Sequence, residues 1–285
     1  MAAAPRNDSA PAGRSESAVA SPSIAVRPLA SVSEYRACVA LQHEVWGKEF
    51  ESVPASMLQV STYVGGLCLG AFLPDGELCG FVFGLAGAID GRPTHWSHLL
   101  GVKEVARNLG VGRLLKEHQR QLLASRGIPE MCWTFDPLIA KNAHLNLSVL
   151  GAKVVRYVPD MYGTTESPLH HGLATDRLLV SCSTARPLQP AAHPTVAGDA
   201  SAPVLTPLPQ PGDDVLPLGT RRPAALWIEV PTDFRQVVAR SPASAITWHD
   251  ALRRHFLWAL AAGYVVTGLR RDALTSRSYY TLEAS

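Results

Sequence analysis

Between the apolar stretch Ser97-His98-Leu99-Leu100-Gly101-Val102 and a helical run beginning at Val111 lies the loop Arg107-Asn108-Leu109-Gly110-Val111-Gly112. Glycines two apart let the backbone turn tightly and aim several N–H groups at one point. The helix behind them adds the positive end of its dipole, so the place suits a phosphate or pyrophosphate. Arg107 adds a charged fork that matches phosphate oxygens. A P-loop needs Gly-Lys-Ser/Thr, and here Gly112 is followed by Arg113-Leu114, which excludes it. A dinucleotide fingerprint needs a third glycine where Leu115 stands, and the neighbouring strands read as hairpin-connected, which argues against it.

The rest of the chain supplies the order of elements around that loop. Ile24–Arg27 reads as a strand stopped by Pro28, and Ser31 with Glu34 is a capping-box signature for a helix that Gly47 ends. Leu67–Leu73 and Leu78–Leu85 flank Pro74-Asp75-Gly76-Glu77 and predict an antiparallel hairpin. His95–Val102 is a strand, followed after the loop by a helix to Arg126. Met131–Phe135 is a strand closed by Asp136-Pro137, Asn142–Leu150 a helix ended by Gly151, and Val154–Val158 and Arg177–Cys182 are two further strands. After a break come strand Ala225–Val230, a helix opening at Thr247 and Asp250 and breaking at Gly263, and strands Val265–Leu269 and Tyr279–Leu282.

The loop matches position for position the Arg/Gln-x-x-Gly-x-Gly/Ala motif of the GNAT superfamily of N-acyltransferases, and Ile24 to Cys182 resembles that family's whole layout. Val26-Arg27-Pro28 is similar to its first strand, and Asn142-Ala143 with Leu150-Gly151-Ala152 to its second conserved region. The resemblance implies an α/β (α+β) fold: a mixed, mostly antiparallel sheet with splayed central strands, 93–102 and 131–136, flanked by helices, plus a C-terminal β-α-β-β extension. It implies acetyl-CoA or succinyl-CoA as co-substrate, with no metal. The pantetheine arm would be held by backbone around Leu100, Gly101 and Val102. The pyrophosphate would rest on Arg107, Asn108, Leu109, Gly110, Val111, Gly112 and Arg113, and Asn142 would lie on the helix flanking coenzyme A. A small-molecule amine would approach from the other side and take the acyl group directly.

Two family positions differ here. The glutamate base of many relatives corresponds to Trp96, and the tyrosine acid to Leu147. His98, two residues beyond Trp96 and expected on the same face as 96, 100 and 102, is either the replacement base or a packing histidine. Tyr162, in Tyr157-x-Pro-Asp-x-Tyr162-Gly, is a candidate acid, with Tyr157 as a second. Asp136 either holds the substrate ammonium or caps the following turn. Ser97 is expected to face away from His98, which argues against a Ser–His nucleophile, and His170-His171 read as exposed loop residues. Trp248, Arg254, Phe256 and Gly263-Tyr264-Val265 resemble a subgroup with a C-terminal extension, some members of which are similar to amino-acid N-succinyltransferases. A succinyl donor requires a cation for its far carboxylate, and Arg156 is one candidate.

Composition narrows the alternatives. The 285 residues carry a net charge of +2, and the arginine pairs Arg221-Arg222, Arg253-Arg254 and Arg270-Arg271 are isolated doublets rather than a basic stripe, which argues against nucleic acid. Five cysteines without a C-x-x-C pair fit a reducing, cytoplasmic setting and argue against a zinc site. No stretch reads as a membrane span. Residues 1–23 read as a disordered tail, 24–186 as the acyltransferase domain, and 187–220, which holds eight prolines and no Lys or Arg, as a linker. Residues 221–285 form an accessory α/β module that packs on the sheet or on a second subunit, which leaves room for a homodimer. The non-enzyme alternative is an acyl-CoA sensor or interaction protein with the same fold.

Overall fold

The computed structural model describes residues 23–163, 172–190, 202–206, 223–272 and 277–285. The expected tail, His170-His171, Arg221-Arg222 and most of the linker lie outside them.

Seven strands form the first sheet in the order β1 (Ala25–Pro28), β2 (Leu67–Phe72), β3 (Leu78–Ile89), β4 (Arg92–Val102), β5 (Glu130–Phe135), β7 (Arg177–Ser183), β6 (Lys153–Val158). Every neighbouring pair is antiparallel except β4 with β5, which run parallel. This is the mixed, helix-flanked sheet that the resemblance implied. β2 is buried along its whole length and β3 through Gly84, which explains why both read as unbroken apolar runs rather than alternating ones. The β3–β4 hairpin extends past the expected ends to a tight turn at Asp90 and Gly91, both at positive φ.

Helix α1 (Val32–Trp46) starts as its sequence dictates. Ser31 Oγ accepts from the Glu34 N–H at 3.2 Å, and Glu34 reaches back to the Ala30 N–H at 2.7 Å and pairs with Arg27. It packs with α2 (Ala55–Tyr63), which the pattern does not announce, on one face of the sheet over Cys68, Phe81 and Phe83. Helix α3 (Val111–Ser125) covers the other face over Leu69, Cys79 and Val82 through Val111 and Leu115. The segment after β5 is one α turn, α4 (Ala140–Ala143), followed by a π turn over His144–Val149. There the Asn146 Oδ1 accepts from Trp133 Nε1 at 2.7 Å.

Gly84 illustrates how tightly the α3 face is built. A Cβ there would collide with the buried ring of His95 and stand 2.7 Å from the Trp96 carbonyl. Gly84→Ala is expected to destabilise by about 1–3 kcal/mol, the usual cost of overpacking a core; urea denaturation with an unchanged midpoint would contradict it.

The second sheet has the order β10 (Tyr264–Asp272), β11 (Arg277–Ala284), β9 (Ala225–Val230), β8 (Val204–Leu205). Helix α5 (Phe234–Arg240) is capped by Asp233, and α6 (Pro242–Ala261) by Ser241 with proline in its first turn. That start precedes the Thr247 and Asp250 expected to open it, because Ser-Pro is the stronger entry signal. The module lies back against the first sheet and shares one core with it. Phe256 stacks on Tyr157 with centroids 5.4 Å apart and meets Tyr280 edge-on. Tyr280 donates to the Pro137 carbonyl at 2.7 Å.

A buried ion cluster fastens the same joint. Asp176, beside β7, accepts from Arg253 Nε at 2.7 Å and Nη2 at 2.5 Å, from Tyr157 at 2.6 Å, and from the Asp160 N–H at 2.9 Å. His249 Nε2 lies 3.4 Å away. Burial alone would raise the Asp176 pKa, but the bonds from His249, Arg253 and Tyr157 outweigh it and hold the carboxyl well below its ordinary range.

Candidate active site

The parallel pairing of β4 with β5 covers only Thr94↔Glu130, His95↔Met131 and Trp96↔Cys132. Both strands then continue, β4 to Val102 and β5 to Phe135, without pairing to each other. The result is a V-shaped gap, and the backbone groups of β4 on that side lack the strand partner they would otherwise have. α3 begins beyond the open end of the V.

The loop at that end is built to present amides. Asn108 and Gly110 both have positive φ, 65° and 77°. Gly110 is the N-cap of α3 and supplies no side-chain cap, so the first N–H groups of the helix meet no capping oxygen. A Cβ on Gly112 would meet only Leu100 Cδ2 at 3.5 Å, which leaves the cradle open. Arg107 to Gly110 and Arg113 are exposed, and the side chains of Arg107 and Arg113 make no hydrogen bond or ion pair among the described residues. Leu100 and Val102 pack towards α3, and Gly101 towards α1, where a Cβ would press on Phe81 at 2.8 Å. Asn142 is exposed on α4, its carbonyl accepting from Asn146.

His98 requires a correction. It was expected on the same face as Leu100 and Val102, but the register with β3 passes from Phe83↔Leu99 to Gly84↔Ser97, so His98 is the extra residue of a bulge. Its ring meets Phe83 edge-on at 6.1 Å, on the α1 face, while Leu100 and Val102 lie on the α3 face. The ring reaches solvent, yet burial lowers its pKa from the ordinary imidazole value, which favours the neutral form. Ser97 does face the other way, towards α3, and makes no pair with His98.

Across the gap, Thr134 of β5 and Asp136, one residue past its end, alternate with Trp133, which meets Lys116 of α3, and Phe135, and so fall on the His98 face. The Thr134 hydroxyl is 3.3 Å from the Tyr162 hydroxyl, and Tyr162 is 47% exposed. Asp136 Oδ1 accepts from the Leu138 N–H at 2.8 Å, and Oδ2 is 3.7 Å from Arg177 Nη1. It therefore caps its turn and also keeps a charge partner. Burial raises its pKa against the opposing pull of Arg177. Arg177, which also lies 5.5 Å from the Tyr162 ring centroid, brings Asp136 and Tyr162 together and was not singled out by sequence. Tyr157 is committed to Asp176 and buried, and Leu147 is buried in the core. Arg156 is exposed on β6, with β7 between that strand and β5.

No protein-family model matches the chain, and no curated protein does. Solved structures do. The chain is similar to the ribosomal-protein-S18-alanine N-acetyltransferase from Escherichia coli at 16% identity and TM-score 0.45, covering 60% of this chain and 98% of that one. An acetyltransferase of GNAT family from Streptococcus pneumoniae matches at 17% identity and TM-score 0.44, over 56% and 99%. Aminoglycoside 6'-acetyltransferase type Ii matches at 16% and 0.44, over 56% and 97%.

Proposed function

We propose that this chain is a GNAT-type N-acyltransferase that moves an acetyl or succinyl group directly from coenzyme A to the amine of a small molecule, amino acids being the first acceptors to test. The observation that carries the reading is the V-shaped gap, whose open end faces an uncapped, glycine-built helix start. A pyrophosphate suits that helix start, and an extended pantetheine arm suits the unpaired edge of β4, where its amides replace the missing strand.

The chemistry follows from the residues around the gap. The acceptor amine attacks the thioester carbonyl, a C–N bond forms, and the C–S bond breaks to leave a thiolate. His98, neutral at lower pH than an ordinary histidine, takes the proton of the incoming ammonium. Asp136 attracts that ammonium, and backbone N–H groups around Leu100–Val102 polarise the carbonyl oxygen. Tyr162 protonates the thiolate and regains the second proton, which the amine nitrogen sheds as the amide forms; Leu147 has none to give.

His98→Ala is expected to lower kcat/KM by about 100-fold, the lower end for general acid–base groups because water is at hand to replace the ring. It should also remove an acid limb of the pH profile lying below the usual histidine range. A parallel profile with the limb intact would make His98 a packing residue. The reading itself is tested by calorimetric titration with coenzyme A and by initial rates: intersecting lines fit direct transfer, and parallel lines contradict it.

The buried Leu147 at the family's acid position favours one second reading, an acyl-CoA sensor. Such a protein would gain thermal stability with acyl-CoA yet release no thiol with any amine.

A further inference from the structure

Tyr162 stands on a turn that the accessory module holds. After β6 the chain reverses through Asp160 and Gly163, both at positive φ, 46° and 73°. The turn is laced to the segment that precedes β7. The Met161 N–H donates to the Thr175 carbonyl at 3.0 Å, the Tyr162 N–H to Thr175 Oγ1 at 2.8 Å, and Thr175 Oγ1 to the Gly163 carbonyl at 3.0 Å. That segment rests in turn on α6. His249, 5% exposed, brings Nε2 to 3.1 Å from the Ala174 carbonyl and 3.4 Å from Asp176 Oδ2, and Nδ1 to 3.3 Å from Asp250 Oδ1.

Both ring nitrogens therefore face oxygens that accept. A neutral imidazole has one N–H and one lone pair, whereas the imidazolium donates from both sides. The imidazolium also gives the buried Asp176 a second cation beside Arg253. The other ionisable groups around the ring are Asp250 and Arg253 on its own helix, Tyr157 on β6, which donates to Asp176, and Asp136 past the end of β5. Burial alone would lower the ring's pKa, but the bond and charge of Asp176, with Asp250 behind them, leave it above the ordinary 6.5. A group raised in this way stabilises fully below about pH 6.5, and its contribution is lost as pH rises through the folded value.

We propose that His249 is a protonation-dependent latch through which the accessory module positions Tyr162 beside the gap. Charged, the ring pins Ala174 and Asp176, and the Thr175 bonds carry that hold to Tyr162. Neutral, it offers Asp176 no charge and has one N–H for three oxygens, so the turn loosens. The proposal rests on the gap being the active site and on Tyr162 as its acid. It makes the accessory module part of the catalytic architecture, and it makes acyl transfer fall off on the alkaline side. His249 acts through Thr175 and Asp176, which makes it a positioning residue.

The test measures hydrogen exchange in the full-length protein by mass spectrometry at about pH 6 and about pH 9, either side of the ordinary imidazole value, with rates corrected for intrinsic exchange. In the wild type, peptides covering residues 157–163 should lose about 10-fold in protection between the two, the lower figure for a charged hydrogen bond. Peptides from α3 should not change. His249→Gln should show the low protection at both pH values. His249→Lys, which keeps a cation throughout, should keep the high protection at both. Wild-type protection that does not move with pH, or His249→Gln as protected as the wild type at the lower pH, overturns the latch. The second readout is kcat for thiol release: its alkaline fall in the wild type should be absent from His249→Lys, with coenzyme A affinity within about twofold in all three proteins. An alkaline fall that survives in His249→Lys detaches the latch from Tyr162. Exchange as expected with no thiol released by the wild type overturns the acyltransferase reading instead.

Discussion

Arg253→Met should lower the stability of the protein by about 3–5 kcal/mol, because it strands the buried Asp176 carboxylate without its bidentate partner. Asp176 is only 3% exposed at its side chain, and the guanidinium supplies two of its shortest bonds. For a chain of this size that is a fall in Tm of roughly 6–20 °C. Asp176→Asn in the Arg253→Met background should recover much of the loss, since the uncompensated charge disappears with it. A fall below about 1 kcal/mol in the single variant would mean that water reaches Asp176 and that the cluster does not hold the accessory module in place. The pH dependence follows with a definite sign. The folded-state pKa of Asp176 lies below its unfolded value, so its contribution is complete above about pH 4 and is lost as pH falls through the lowered folded value. Acid should therefore destabilise the wild type more steeply than Arg253→Met.

The consequence reaches the candidate active site. Asp176 directly precedes Arg177, which pairs with Asp136, and Tyr280 of the accessory module holds the carbonyl of Pro137. The module thus fixes the ends of β5 and β7 from which Asp136, Arg177 and Thr134 project.

Gly112→Trp should abolish coenzyme A binding without unfolding the chain. Its Cβ would meet nothing closer than Leu100 Cδ2 at 3.5 Å, so the helix start tolerates the branch point, and the indole extends over the amides that face the open end of the V. Lost affinity should exceed about 10³-fold, because the ring occupies the place of the pyrophosphate and removes its helix-terminus contacts together. Circular dichroism and Tm should stay close to wild type. Unchanged affinity in a folded Gly112→Trp protein would detach the loop from coenzyme A.

Local chemistry makes much of this legible in the sequence. The Ser31–Glu34 cap, the Pro74–Glu77 hairpin turn and the Gly110–Gly112 helix entry each depend on neighbours in sequence, and each forms where the pattern places it. The face of His98 was not legible, because the bulge that turns it arises from packing between β3 and β4, where Gly84 makes room for the ring of His95. The Asp176–Arg253 pair spans 77 residues, and nothing local at either end marks it. Helix α2 escaped because Pro54 is its N-cap and offers no side-chain bond.

Acyl transfer through the gap is tested most directly by counting thiol and amide together. Acetyl-CoA and succinyl-CoA would be incubated with the wild-type protein and a panel of D- and L-amino acids, with free coenzyme A measured by thiol reagent and N-acyl product by mass. Thiol and N-acyl product should appear in a one-to-one ratio with at least one amine, and thiol should stay at background without an amine. Thiol released equally without any amine, or none released with any member of the panel while the esters bind, would contradict direct N-acyl transfer.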